Sequence, residues 1–176
     1  EDIERLVSPF FGGGSLELAI AARGTEVRGY DKMKQLVWFW QALCGDNNKL
    51  ADEVQNLRTE YWIEEKGELA DDAPLRKLWL QENGADKLVE GCNKECFTNF
   101  REQLKDPSFM FSCEKAAKYY SINRASFSGA TFSGGWSKRA SYARFTPSSI
   151  QRLRDFEAKN FRVDYADFED AMDYHP

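Results

Sequence analysis

RLVSPFFGGGSLELAIAARGTEVRGYD, residues 5–31, is the stretch that decides the fold class. Residues 5–10 are short, partly apolar and stopped by glycines, so they read as a buried strand. Phe11-Gly12-Gly13-Gly14 makes a tight turn. Ser15 is positioned to cap a helix over residues 16–22, which Gly24 ends. Residues 26–31 read as a second strand. A helix over 32–43 follows, with Leu36, Val37, Trp40 and Leu43 on one face at helical spacing. This β-loop-α-β-α order opens a parallel, doubly wound sheet.

Outward from that stretch, residues 46–120 lose strand signals and repeat apolar residues every three or four positions. They predict helices over 48–62, 74–81, 86–104 and 109–122, Asp71-Asp72-Ala73-Pro74 being a good helix start. Residues 126–145 have little periodicity and are rich in Ser, Gly and Arg, which predicts a long ordered loop. Thr146-Pro147 then caps a helix running to about 159. Residues 161–165 return as a third strand, and 169–172 begin a further helix or turn. The expected division is an α/β part over 1–45, a mainly helical insert with its loop over 46–145, and a return to the α/β part over 146–176.

The 176 residues are 42% hydrophobic and 30% charged, the balance of a soluble globular chain. No apolar run reaches membrane-spanning length and no signal-type segment is present, which makes a cytoplasmic location the default expectation. Cys44, Cys92, Cys96 and Cys113, with His175 as the lone histidine, do not have zinc-site spacing, so no metal is expected and the thiols read as reduced. The chain opens at Glu1, close to its first strand, and closes at Pro176 just after a helix. Both ends suggest a piece of a longer protein.

A strand, a glycine turn, a helix and a second strand ending in an acid form a nucleotide cradle. The glycines admit a ligand close to the backbone, and the acid accepts from ribose hydroxyls. Gly12, Gly13, Gly14 and Asp31 fill those places. The dinucleotide fingerprint wants a third glycine at position 17, which holds Glu17. A carboxylate in the first helical turn repels a pyrophosphate, whereas the cationic sulfonium of S-adenosylmethionine suits an acidic surround. The plainer alternative is that a glycine turn and a strand-end Asp are connector chemistry in any α/β protein.

Residues 115–154 contain no Asp or Glu but hold Lys115, Lys118, Arg124, Lys138, Arg139, Arg144, Arg152 and Arg154. That places +8 inside a chain of net −5 and leaves −13 elsewhere. A segregated basic stretch is the footprint of a polyanion site. Asn123, Ser126, Ser128, Thr131, Ser133, Ser137 and Ser141 offer short donors and acceptors. Tyr119, Tyr120, Phe127, Phe132, Trp136 and Tyr142 offer rings that stack on bases or wedge into a duplex. The plainer alternative is a solvated basic loop with its aromatics packed beneath it.

Together these segments resemble the Dam-like DNA adenine-N6 methyltransferases. Pro9-Phe10-Phe11-Gly12-Gly13-Gly14 matches that family's P-F-x-G-x-G cofactor motif, and Asp31 its strand-end acid. Asn123-Arg124-Ala125-Ser126-Phe127-Ser128-Gly129 is similar to its NR-x-x-(F/Y)-(N/S)-G segment, which opens the DNA-contacting loop. Tyr165-Ala166-Asp167-Phe168 is similar to its GDF element near the cofactor's adenine.

The resemblance implies a partial Rossmann-like methyltransferase sheet with an inserted, mainly helical DNA-recognition domain. It implies S-adenosylmethionine at Pro9, Phe10, Phe11, Gly12, Gly14, Asp31, Asp167 and Phe168. It also implies double-stranded DNA, with Arg124, Lys138, Arg139 and Arg144 on phosphates. Asn123, Ser126 and Ser128 would position the loop or read bases. The family's opening Lys/Trp/Gly-rich segment and its catalytic Asp-Pro-Pro-Tyr do not occur in these residues, so no catalytic residue is assigned and the chain alone is expected to be inactive. The alternatives are a non-catalytic nucleic-acid-binding module of the same fold, half of a split methyltransferase, and a dinucleotide-binding Rossmann-type enzyme, against which Glu17 argues.

Overall fold

The computed structural model describes residues 4–61, 94–105, 110–157 and 159–174. Strands β1 (Arg5–Ser8), β2 (Glu26–Asp31) and β3 (Phe161–Tyr165) form a parallel sheet in the order β1-β2-β3. Arg5 pairs with Glu26 and Ser8 with Gly29 on one side of β2. Val27 pairs with Phe161 and Asp31 with Tyr165 on the other. Parallel strands place all their carboxyl ends on one edge, where loops can converge.

Helix α1 (Ser15–Ala21) connects β1 to β2, and α2 (Lys34–Gly45) follows β2. Ser15 does not cap α1, contrary to the expectation above. Gly14 holds that place in a left-handed conformation (φ 67°), with no side-chain cap. The three-glycine turn has to reverse there, and the reversal sets the backbone that the cap would use. Helix α2 starts two residues later than its apolar spacing suggested. The Asp31 carboxylate takes the Met33 amide at 2.8 Å and keeps Lys32 and Met33 out of the helix.

The sheet face carrying Val27 and Val163 is covered by α2, and the same apolar cluster continues into the helical part. There α3 (Asn47–Tyr61), α4 (Lys94–Lys105) and α5 (Cys113–Ala125) pack with Leu50, Val54, Phe97, Phe100, Leu104 and Ile122 buried between them. Helix α5 is central because its inner face is small: Ala116, Ala117, Ser121 and Ala125 are fully buried and let neighbours approach closely. The Ser121 hydroxyl is satisfied within the helix, donating to the Ala117 carbonyl at 2.9 Å. The helix expected over 74–81 lies outside the described residues, as does the first part of the one expected over 86–104.

Residues 126–145 are not a plain loop. They hold a 3-10 turn (Phe127–Gly129) and helix α6 (Lys138–Arg144), whose Ser137 cap accepts from Ala140 at 3.2 Å. A seven-residue helix spans only two turns, too few for an apolar repeat to declare itself. Helix α7 (Pro147–Arg154) begins with the Thr146 cap, closed into a reciprocal capping box by Ser149, and stops earlier than about 159. The chain then turns at Asn160 (φ 59°) into β3. Helix α8 (Phe168–Asp173), capped by Asp167, crosses to the other sheet face, where Ala171 packs with Tyr30 and Ala166.

Gly29 is the tightest point of this arrangement. A Cβ built there would meet the Phe11 ring at 2.1 Å. Gly29→Ala is therefore expected to lower unfolding stability by about 1–3 kcal/mol in urea titration, the range for overpacking a core. An unchanged midpoint would mean that Phe11 is free to move away.

Candidate cofactor edge and nucleic-acid interface

The glycine turn is fixed from three sides. The Phe11 amide donates to the Tyr30 carbonyl at 2.9 Å, and the Gly14 amide to the Phe11 carbonyl at 3.1 Å. The Trp40 indole donates to the Gly12 carbonyl at 3.1 Å. Asp31 completes the set: its Oδ2 accepts from the Gly12 amide at 2.9 Å while its Oδ1 accepts from Met33. Each carboxylate oxygen keeps a further lone-pair direction, so Asp31 stays able to accept from a ligand hydroxyl.

Adjacent phenylalanines have opposite fates. Phe11 is buried, its ring edge-on to Trp40 and Phe161, each at 5.2 Å. Phe10 is 73% exposed and stacks on Phe168 at 5.5 Å, with the planes 24° apart. Pro9, half-buried, leads into this pair. Lys32 donates to Asp167 at 2.5 Å, bridging the end of β2 to the cap of α8. The ammonium holds the Asp167 carboxyl below the usual Asp range, and the carboxylate raises Lys32 in turn. Pro9, Phe10, Gly12, Gly14, Asp31, Asp167 and Phe168 thus share one edge of the sheet. Phe11 lies beneath it. Lys32 was not foreseen, because its partner is 135 positions away.

The second set lies after α5. Asn123 donates through Nδ2 to the Gly129 carbonyl and to the Thr131 hydroxyl, both at 2.9 Å. Ser126 donates to the Asn123 carbonyl and accepts from the Thr131 amide. Arg144 reaches back to the carbonyls of Ser126 (3.2 Å) and Asn123 (3.3 Å), closing the carboxyl end of α5. Arg124 donates to the Arg144 carbonyl at 2.8 Å, and burial pulls its guanidinium below the usual Arg value. The turn so held puts Ser128 (φ 53°) and Thr131 (φ 34°) in left-handed conformations.

Asn123, Arg124, Ser126 and Arg144 therefore build the loop, while Ser128 and Arg139 face solvent and Lys138 is half-exposed. Among the rings, Tyr119 is buried, and Tyr120, Phe132 and Trp136 pack against the core. Phe127, 68% exposed, projects from the turn. The Tyr142 side chain lies outside the described atoms.

Among the described residues no three His, Cys, Asp or Glu side chains gather as a metal site, and no helix is long and apolar enough to cross a membrane. The model of the D12 class N6 adenine-specific DNA methyltransferase family matches residues 1–175. No curated protein matches the chain.

Two outcomes follow from this geometry. Asp167 is depressed by Lys32, so the pair's contribution is complete above the ordinary Asp range and is lost as pH falls through the depressed value. Lys32→Met should move the Asp167 carboxyl titration upward in carbon-13 NMR; an unmoved titration would show that the pair does not form. Arg144→Ala, which takes one donor from each of two carbonyls, should cost about 1–3 kcal/mol in urea titration. Arg139→Ala, on the exposed side of α6, should leave the midpoint unchanged. Equal effects of the two would remove the distinction between loop-building and free arginines.

Proposed function

Because the chain belongs to the D12 class of N6 adenine-specific DNA methyltransferases, we propose that the carboxyl edge of its sheet binds S-adenosylmethionine and that the turn after α5 binds double-stranded DNA. The observation that carries the first half is the meeting of three distant segments at one edge. The glycine turn is tied to Asp31, and the exposed ring of Phe10 is stacked on Phe168.

In this reading the cofactor's adenine lies against Phe10 and Phe168, with Asp167 beside it. Two exposed aromatic faces suit a purine, whose stacking on a ring is worth about 1–3 kcal/mol. The ribose hydroxyls donate to the open lone pairs of Asp31. Pro9, Gly12 and Gly14 give the backbone a close approach, and Phe11 supports them from below. The bound cofactor supplies an electrophilic methyl group for the adenine N6 amine of DNA.

On the DNA side, residues 46–145 form the recognition part, and 1–45 with 146–176 the cofactor part. Lys138 and Arg139 contact phosphates, Phe127 and Ser128 face the base pairs, and Asn123, Arg124, Ser126 and Arg144 hold the turn that presents them. The sequence Asp-Pro-Pro-Tyr is absent from the 176 residues, so the roles proposed here concern binding and its geometry.

Arg139→Ala should weaken duplex binding across sequences and lower the slope of log affinity against log salt by about 1. Phe10→Ala should weaken S-adenosylmethionine binding about tenfold, read by calorimetry. A duplex affinity with an unaltered salt slope would remove the phosphate role, and unaltered cofactor affinity would remove the adenine subsite.

A further inference from the structure

Glu17 speaks against a pyrophosphate but is given no contact in the reading above, and its place is unusual. It lies in the first turn of α1 and is only 8% exposed. Its Oε1 accepts a 2.6 Å hydrogen bond from the hydroxyl of Ser8, the last residue of β1. No described lysine or arginine forms an ion pair with it. Its Oε2 accepts from no described residue and is not sealed from solvent. A nearly buried carboxylate without a cation costs stability that a neutral residue of the same size would not. A carboxylate kept in such a place fits a cation that arrives with a ligand.

The order of the strands says which part of the ligand that is. Phe168 follows β3, with the Phe10 ring reaching across to stack on it, Asp31 ends β2, and Ser8, bonded to Glu17 of α1, ends β1. Neighbouring strands stand about 4.8 Å apart, so adenine, ribose and the next portion of an extended adenosyl compound fall on β3, β2 and β1 in turn. In S-adenosylmethionine that next portion is the amino-acid end. It carries a sulfonium, which has no hydrogen to donate, and an α-ammonium, which has three. An oxygen with open lone pairs selects the ammonium.

We propose that Glu17, oriented by Ser8, receives the α-ammonium group of S-adenosylmethionine, an assignment that rests on the cofactor reading above.

The test uses two neutral-sulfur probes: S-adenosylhomocysteine, which carries the ammonium, and 5′-methylthioadenosine, which lacks the amino-acid end. Glu17→Gln keeps the side-chain volume and an acceptor for Ser8. It should raise the Kd of S-adenosylhomocysteine about tenfold and leave that of 5′-methylthioadenosine unchanged. Its melting temperature should equal or exceed that of the wild type, because an amide is easier to bury than an unpaired carboxylate. Ser8→Ala, which only frees the carboxylate to rotate, should show the same selectivity with a smaller loss.

Equal weakening of both probes, no weakening of either, or a lowered melting temperature for Glu17→Gln would overturn the assignment in favour of a structural role. Weakened binding of S-adenosylmethionine with S-adenosylhomocysteine unaffected would place the charge at the sulfonium and overturn it too. A wild-type chain that binds none of the three compounds overturns the cofactor reading itself.

Discussion

The ring of Phe11 fills the space that residue 29 leaves by having no side chain, and the carboxyl edge of the sheet is built on that contact. Phe11 follows β1 directly after Phe10, Gly29 lies in β2, and the rings of Trp40 from α2 and Phe161 from β3 close around it. Four elements therefore lock at one side chain. The glycine turn above it inherits its position: a Cβ on Gly14 would also strike the Phe11 ring, at 2.7 Å. With the ring pinned, Trp40 can hold the Gly12 carbonyl and Asp31 the Gly12 amide. Phe10 cannot enter the same space, so it is left outward, where Phe168 meets it.

This explains which parts of the fold the sequence makes legible. The strands, the glycine turn and the Thr146-Pro147 helix start are local signals, carried within a few residues by apolar content, φ preference and capping chemistry. The third strand matched because Phe161-Arg162-Val163 alternates cleanly. Contacts between segments far apart in the chain carried no such mark. Lys32 with Asp167 depends on the register of β2 against β3, and Phe10 with Phe168 on that of β1 against β2 as well, which a one-residue slip would abolish. The resemblance implies both Phe10 and Phe11 at the cofactor, and only packing separates the ring that supports the turn from the one left exposed.

The basic segment shows the same limit in charge terms. Composition counts guanidinium groups; it does not say how many backbone carbonyls lack donors where α5 ends. The last carbonyls of a helix need partners, and here Arg144 adds one each to Asn123 and Ser126, beside the Ser126 hydroxyl and the Gly129 amide. Arg124, the penultimate residue of the helix, is drawn onto the Arg144 carbonyl. These two side chains remain positive and add to the field that attracts a polyanion. Nε of Arg124 and both Nη of Arg144 are spent on backbone carbonyls, however, so in the proposed reading phosphate contact falls first to the neighbouring Lys138 and Arg139. A count of positive charge overstates the number of contacts that the loop can make.

Helix α5 joins the two surfaces. Tyr119 and Asn123 are one turn apart on it, on the same side. The Tyr119 hydroxyl points to the Met33 sulfur at 3.8 Å, next to Asp31, and Asn123 holds the carbonyl of Gly129 and the hydroxyl of Thr131 in the loop. The small inner face of the helix packs it tightly on α2 and α3, so it cannot shift to suit one end without the other. The separation between the acid at the end of β2 and the turn carrying Phe127 is therefore set by one rigid turn of helix. A residue inserted between Tyr119 and Asn123 would rotate the loop by about 100° around that helix while leaving the sheet edge intact. The spacing of those two residues thus fixes how the turn after α5 is presented to the carboxyl edge of the sheet.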